Sequence, residues 1–318
     1  MISDKQLYAA LGNTLEYARF PEGCTFERGK VRDWFCKGDR RILVTSDRIS
    51  AFDRVLGTIP FKGQVLNQLA AYWFEQTRHI VPNHIVSVPD PNIVVARECE
   101  QLSLEFIVRG YITGVTNTSA WTNYAKGVRC FCGHVLPEGL RKDQKLERPI
   151  LTPTTKHEAH DRNVSREEAI AEGLIDAKTF DQASEICLKL YDFGVKLAAS
   201  RGLILVDTKY ELGLLDGKLV VSDEVNTPDS SRYWYADTYA ERFAAGEAQR
   251  QIDKEYVRQW LAKQGFTGDG TPPVLPDDVR VEAAKRYMQA YELITGKPFE
   301  VSAEPVGSRV SKALVTLC

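Results

Sequence analysis

The sequence predicts an α+β protein, and three observations carry that reading. Short β-branched runs bounded by turn residues fill the first ~110 positions. Later stretches repeat apolar residues at helical spacing, between a capping signal and a stop. The 318 residues, 43% apolar and 26% charged, have the balance of a globular chain able to build one large domain or two ordinary ones.

In chain order, RILVTS (41–46), NIVVAR (92–97) and LEFIVRGYI (104–112) read as strands. Between the first two, QVLNQLAAYWFEQTRHI (64–80) sets Val65, Leu66, Leu69, Tyr72 and Trp73 along one helix face. Residues 126–163 mix Pro, Gly and charge and read as a long irregular loop, of the kind that often carries function. Ser165 and Glu168 form a capping box for a short helix, and Asp176 caps a longer one that Gly202 ends. LILV (203–206) opens a strand–turn–strand unit. Helices follow over 235–300, broken at GDGTPP (268–273), with AAKRYMQAYELITG (283–296) the clearest. The residues after Glu300 receive no assignment.

Net charge is −2, which gives no broad attraction to nucleic acid or to a membrane surface. No apolar run approaches 18 residues, and MISDKQLYAALGN lacks the apolar core of a secretory signal, so a cytoplasmic protein is expected. The seven cysteines are odd in number and irregularly spaced, which predicts free thiols rather than a disulfide framework. Cys130, Cys132 and His134 in CFCGH lack the second ligand pair of a zinc site.

The strand–turn–strand unit raises a chemical question. LVDTKYELGLLDGKLVVSDEVNTPDSSRYW (205–234) carries Asp207, Lys209, Glu211, Asp223, Glu224, Asp229 and Arg232 where a buried sheet would place apolar residues. A two-residue turn on Asp216-Gly217 would put Glu211 opposite Ser222, with Asp223 on the other face. A three-residue loop, Leu215 to Gly217 with a bulge, would put Lys209 opposite Asp223 and Glu211 opposite Val221. That second register gathers Asp207, Lys209, Glu211 and Asp223 on one face and is the expected one; Glu224 then points away. Two converging carboxylates suit Mg²⁺, which takes one or two carboxylates plus substrate phosphates. The plainer alternative is a solvated strand face with weak ion pairs.

Other segments collect anion-binding groups. In RGKVRD (28–33), Gly29 permits close backbone approach, and Lys30 and Arg32, two apart on a strand, would point the same way toward phosphate oxygens. The Walker pattern is absent. TSDRISAFD (45–53) offers Asp47, Arg48, Ser50 and Asp53. Arg109 lies in an apolar strand and needs an anionic partner. LTPTTKHEAHD (151–161) holds Thr154 and Lys156. Ser230, Ser231 and Arg232 suit a phosphate or carboxylate; a helix N-cap is the alternative.

Taken in order, RGKVRD, VTSDRISAFD (44–53), FIVRGYITG (106–114), ILTPTTK (150–156), LILVDTKYELG (203–213) and DEVNTPDSSRYW (223–234) resemble the SAICAR synthetase family of purine biosynthesis. The resemblance implies an N-terminal kinase-like β-rich nucleotide lobe (1–103) packed on a larger α/β domain (104–318), with ATP in the cleft between them. It implies an ATP-dependent ligase joining L-aspartate to 5-amino-1-(5-phosphoribosyl)imidazole-4-carboxylate (CAIR) through an acyl phosphate. Its partners would be those small molecules, with Mg²⁺, and the chain would be a monomer or homodimer. Gly29, Lys30, Val31 and Arg32 would cover the ATP phosphates, and Glu100 and Leu102 would flank a backbone hinge for adenine. Glu211 and Asp223 would hold the metal. Lys209 would serve ATP and catalysis, while Asp207 and Arg232 would serve CAIR and catalysis. Arg109, Ser119 and Ser231 would complete the CAIR contacts, and Ser50, Asp53, Thr154 and Lys156 would be near aspartate. Many family members read GSAW after the Arg109 strand. Here VTNT separates Gly114 from Ser119-Ala-Trp, so Ser119 is the expected hydroxyl, with Thr116 and Thr118 as alternatives.

Two other readings compete. A small-molecule kinase explains RGKVRD and the carboxylate pair but not Ser230-Ser231-Arg232 or ILTPTTK. A nucleotide-binding regulator without turnover fits a broken metal pair, whereas both carboxylates are present.

Overall fold

Alternating burial organises the N-terminal half. The computed structural model describes residues 2–51, 54–156, 161–252, 255–266, 268, 270–302 and 304–317. Helix α1 (Asp4–Ala10) precedes strands β1 (Phe26–Arg28), β2 (Arg32–Lys37) and β3 (Arg40–Thr45), the hairpin β4 (Arg48–Ala51) and β5 (Arg54–Thr58), helix α2 (Lys62–Thr77), and strands β6 (Ile85–Asp90) and β7 (Ile93–Arg97). An antiparallel sheet runs β1-β2-β3-β7-β6. Phe35, Ile42, Val44, Ile93 and Val95 cover one face. The cross-strand partners Arg32–Thr45 and Trp34–Leu43–Val94 fall on the other.

Strand β8 (Glu100–Gln101) then leads to β9 (Leu104–Ile112), α3 (Ala120–Ala125), β10 (Cys130–Phe131), β11 (His134–Val135), β12 (Gln144–Leu151) and β13 (Thr154–Thr155). Helices α4 (Arg166–Ala171) and α5 (Ala177–Ser200) follow, then strands β14 (Leu203–Leu215), β15 (Lys218–Ser222) and β16 (Ser231–Tyr235). The chain closes with α6 (Ala236–Ala245), α7 (Glu255–Lys263), α8 (Asp277–Thr295) and α9 (Val306–Leu317). A second sheet runs β12-β9-β14-β15, with β13 on β9 and with β8 and β16 on β14.

The capping signals form as read: Ser165 with Glu168 opens α4, and the Asp176 carboxylate accepts from Thr179 N–H to open α5. Phe180, Ala183, Cys187, Leu190, Tyr191 and Gly194 of α5 are buried at helical spacing, in the core that includes Phe106, Val108, Tyr210 and Leu212 of the second sheet. Burying each large apolar side chain contributes about 1.5–3 kcal/mol. With those strand residues turned inward, Glu105, Arg109, Asp207, Lys209 and Glu211 must face the other way.

Three expectations change. Residues 126–163 are not one loop, because they contain β10 to β13. The charge and Pro149 in QKLERPIL hid β12, which lies at the sheet edge with a register shift between Lys145 and Ile150, where a proline is tolerated. Ser230 and Ser231 do not open a helix, since β16 continues to Tyr235 and α6 begins after it. The unassigned tail forms α9, which returns to the first sheet and buries Val310 and Leu314 against it.

Candidate active site

The turn between β14 and β15 holds two residues, not three. Asp216 (φ 51°) and Gly217 (φ 74°) both take the left-handed backbone of a type I′ turn. Leu215 faces Lys218 and Glu211 faces Ser222. Lys209 therefore lies opposite Ile107 of β9 rather than Asp223, and Glu211 does not face Val221. Asp-Gly favours this turn because both positions tolerate positive φ. Asp223 still reaches the charged cluster. It lies past the end of β15, in left-handed backbone (φ 57°), and pairs with Arg32. Lys209 is held above the ordinary lysine range: burial lowers it, but Glu211, Glu105 and Asp223 outweigh burial. Arg32 is raised likewise, against burial, by Asp223, Glu224, Asp229 and Glu211.

Register arranges the site face in rows. Arg109, Asp207 and Arg232 lie side by side across β9, β14 and β16. Arg109 Nη1 and Arg232 Nη2 stand 3.6 and 3.4 Å from Asp207 Oδ2, which accepts no hydrogen bond among the described residues. Arg109 Nε donates to Thr152 (2.7 Å) and Nη2 to the Thr118 carbonyl (3.0 Å). Burial lowers the Arg109 guanidinium to about 10, partly countered by Asp207. Ser231 donates to Thr208 (2.8 Å). A Cβ on Gly114 (φ 100°) would lie 3.0 Å from both Ser119 Oγ and Arg232 Nη1, so the VTNT insertion brings Ser119 back beside Arg232.

The next row is a charge network. Lys209 Nζ bridges Glu105 and Glu211 at 2.6 Å each, and Lys156 pairs with the other Glu211 oxygen. Burial pushes the Glu211 carboxyl up, but Lys209 and Lys156 prevail and hold it well below its usual range. Glu211 is thus held as an anionic oxygen donor, and Asp223, paired with Arg32, offers its carboxylate oxygens close enough to raise Lys209. Glu105 is raised, chiefly by burial.

RGKVRD forms a turn between β1 and β2. Gly29 N–H closes on the Arg32 carbonyl (2.7 Å), so Lys30 lies in the turn and does not share a strand with Arg32. A Cβ on Gly29 would meet that carbonyl at 3.0 Å. Arg48 braces the turn from behind: it donates to the carbonyls of Gly29 and Lys30 at 3.0 Å each and to that of Glu16, and pairs with Asp33 at 2.7 Å. The Val31 carbonyl accepts from Ser46 N–H (2.9 Å). Arg32 Nη2 also pairs with Glu224 (3.1 Å), which is buried and directed at the site, contrary to the reading that it points away.

The hinge candidates lie on and just after β8, which pairs with β14 of the second sheet. Glu100 pairs with Leu214 and its side chain is exposed; Leu102 N–H donates to the Leu212 carbonyl (2.9 Å) and so has no donor left for a base. Thr154 is buried opposite Glu105. Ser50 lies on the separate β4–β5 hairpin, opposite Val55. Asp53 lies outside the described residues. Asp47 is structural, accepting from Leu15 and Gly63 N–H at 2.7 and 2.8 Å.

Sequence reasoning missed Glu105, Glu224 and Arg48 as parts of this arrangement. Glu105 was findable, because it lies at i−4 from Arg109 in the same strand and must share its face. CFCGH forms the β10–β11 hairpin with His134 Nε2 donating to the Leu151 carbonyl (2.8 Å), and the described residues hold no cluster of three or more metal-ligating side chains. Cys24, Cys36, Cys99, Cys130, Cys132 and Cys187 are free thiols, and Cys318 lies outside the described residues. No described helix is long and apolar enough to cross a membrane.

Comparison with known proteins now gives this geometry a context. The profile of the SAICAR synthetase family matches residues 25–273. Phosphoribosylaminoimidazole-succinocarboxamide synthase of Legionella pneumophila (strain Paris) is 50% identical over 280 residues, 87% of this chain and 90% of that protein. The chloroplastic synthase of Arabidopsis thaliana is 48% identical over 289 residues, 90% of this chain and 70% of that protein. The SAICAR synthase of Saccharomyces cerevisiae, solved with SAICAR, superposes with a TM-score of 0.80 at 31% identity, covering 90% of this chain and 100% of that one. A SAICAR synthetase solved with ADP gives 0.66 at 25% identity, covering 87% and 100%. The α+β fold with this charged face defines an enzyme of the ligase class. The chain belongs to the SAICAR synthetase family.

Proposed function

We propose that the protein condenses CAIR with L-aspartate at the expense of ATP, giving SAICAR, ADP and phosphate, as a cytoplasmic enzyme of purine synthesis. The observation that carries this is the adjacency of two anion-binding rows on one sheet face. Arg109, Asp207 and Arg232 form one, with Ser119 beside Arg232; Lys209, Glu211 and Lys156, with Arg32 and Asp223 nearby, form the other. Relatives solved with SAICAR and with ADP support a site that takes both kinds of ligand, and by charge we assign the first row to CAIR and the second to the nucleotide.

Gly29, Lys30, Val31 and Arg32 would lie over the ATP phosphates, with Glu100 at the adenine hinge. Glu211 and Asp223 would hold Mg²⁺, which would neutralise charge on the transferring phosphoryl group. Lys209 would orient the γ-phosphate beside the CAIR carboxylate that Arg109 and Arg232 fix. Asp207 would accept from a CAIR donor, and Ser231 would support its phosphate. Positioning supplies most of the remaining rate. Residues 1–103 and 104–318 would serve as nucleotide lobe and substrate domain.

The test measures ADP release by the purified full chain with Mg²⁺ and CAIR, with and without L-aspartate. Strict dependence on both substrates is expected. Turnover without aspartate would favour the small-molecule kinase instead.

A further inference from the structure

We infer that the Tyr191 hydroxyl, presented by α5 beneath the second sheet, sets the register of the Arg109–Asp207–Arg232 row by holding a bulge in β14. Tyr191 is a positioning residue: it acts through the backbone of β14 and not on a substrate. The ligand that feels it, CAIR, is taken from the ligase reading above.

Strand β14 changes, partway along, which of its positions face the core. Leu203 and Leu205 lie in the main core, and so do Tyr210 and Leu212. Odd positions thus point inward before the change and even positions after it. Ile204 and Val206 pack with Tyr111 and Trp234 in a separate cluster. The pairing with β16 locates the change. Leu205 faces Tyr233, Asp207 faces Arg232, and Val206 is the extra residue between them. One extra residue in one strand is a β-bulge. Strict alternation from Leu205 onward would instead turn Asp207, Lys209 and Glu211 into the core.

A bulge interrupts the ladder and leaves backbone groups to be satisfied in another way. The Tyr191 hydroxyl donates to the carbonyls of Leu205 (2.9 Å) and Val206 (3.0 Å), the two residues at the shift. Tyr191 is 2% exposed. A buried carbonyl that loses its donor costs about 1–3 kcal/mol. Burial pushes the phenol well above its ordinary pKa, so it keeps its proton. The hydroxyl also needs room in the sheet, and Gly110 leaves it. A Cβ on Gly110 would lie 2.2 Å from the hydroxyl oxygen and 3.2 Å from Tyr191 Cζ. Gly110 follows Arg109, whose partner Asp207 is where the β9–β14 pairing stops. Tyrosine and glycine therefore fit as peg and hole under the first row. Lys209 and Glu211 lie farther along, pinned by β9 and β15. A loosened bulge reaches Asp207 first.

Tyr191→Phe, Gly110→Ala and the double variant, each in the full-length chain, test this. Michaelis constants would be measured for CAIR, ATP and L-aspartate, together with melting temperatures without substrates. Tyr191→Phe should raise the constant for CAIR roughly fivefold or more and leave that for ATP within about twofold. Instability alone would reduce the amount of folded enzyme and leave both constants unchanged. Gly110→Ala should lower the melting temperature by several degrees in the parent, since the added methyl meets the hydroxyl. Beside Tyr191→Phe the same change should lower it far less, because the nearest ring atom then stands 3.2 Å away. An unchanged CAIR constant in Tyr191→Phe would show a purely structural hydroxyl and overturn the proposal, and so would an equal rise for CAIR and ATP. Additive melting shifts would show that the hydroxyl does not fill the Gly110 gap and would overturn it too. A parent enzyme that turns over without aspartate would remove the ligase reading, whereas the melting cycle would still decide the bulge contact.

Discussion

Asp207 and Arg232 face each other across β14 and β16 with 3.4 Å between Oδ2 and Nη2, close enough for charge attraction but without a hydrogen bond. Asp207 Oδ2 keeps its acceptor capacity and Arg232 remains part-exposed, so a ligand could bind beside the pair. Arg232→Ala should raise the Michaelis constant for CAIR roughly tenfold or more and leave that for ATP within about twofold, measured in steady state. An equal or reversed effect would place Arg232 with the nucleotide.

Glu211→Gln and Asp223→Asn should each lower kcat by ~100-fold or more and raise the Mg²⁺ concentration for half activity. The melting temperature should move by only a few degrees, because the surrounding lysines and Arg32 are part-exposed and solvent can reach them. Near-normal rates in both variants would remove the metal assignment.

Arg48 and Asp33 are 1% and 0% exposed, so breaking their pair strands a buried charge. Arg48→Met should cost on the order of 3–5 kcal/mol in urea unfolding. Arg48→Lys should recover little of it, because an ammonium cannot span Asp33 and the carbonyls of Gly29, Lys30 and Glu16. Full recovery by lysine would contradict the bracing role.

Burial lowers the His84 imidazole to about 4 from an ordinary 6.5. The neutral ring's contribution to stability is therefore complete above pH ~6.5 and is lost as pH falls toward 4, by up to on the order of 3 kcal/mol. Unfolding midpoints at pH 7.5 and 4.5 should differ less in His84→Gln than in the parent. An undiminished difference would show that His84 carries none of the acid sensitivity.

Much of this was legible in the chain. LILV leading into Asp207, Lys209 and Glu211 announced β14, because alternation forces those three onto one face whatever the turn does. The caps at Ser165 and Asp176 are local chemistry and formed as written. The turn was harder, since Asp216-Gly217 fits both loop lengths, and only the longer loop would put Asp223 on the Glu211 face within the strand register. A single left-handed residue, Asp223, brought that carboxylate in by another route. Strand β12 was hidden by Pro149 and its charges, and α9 because its docking surface is distant in sequence. Arg48 looked like a ligand residue, for sequence does not say whether an arginine's anion is a substrate or a neighbouring aspartate.

Strand β14 works as a ruler. Its 13 residues pair with β8, β9, β15 and β16, so the spacing between the Asp207 row and the Lys209–Glu211 row is set by one stretch of extended backbone. Side chains along it can change one at a time. Its length cannot: deleting one residue between Asp207 and Glu211 would rotate half the site into the core and the core into solvent. The segment should tolerate substitution far better than insertion or deletion.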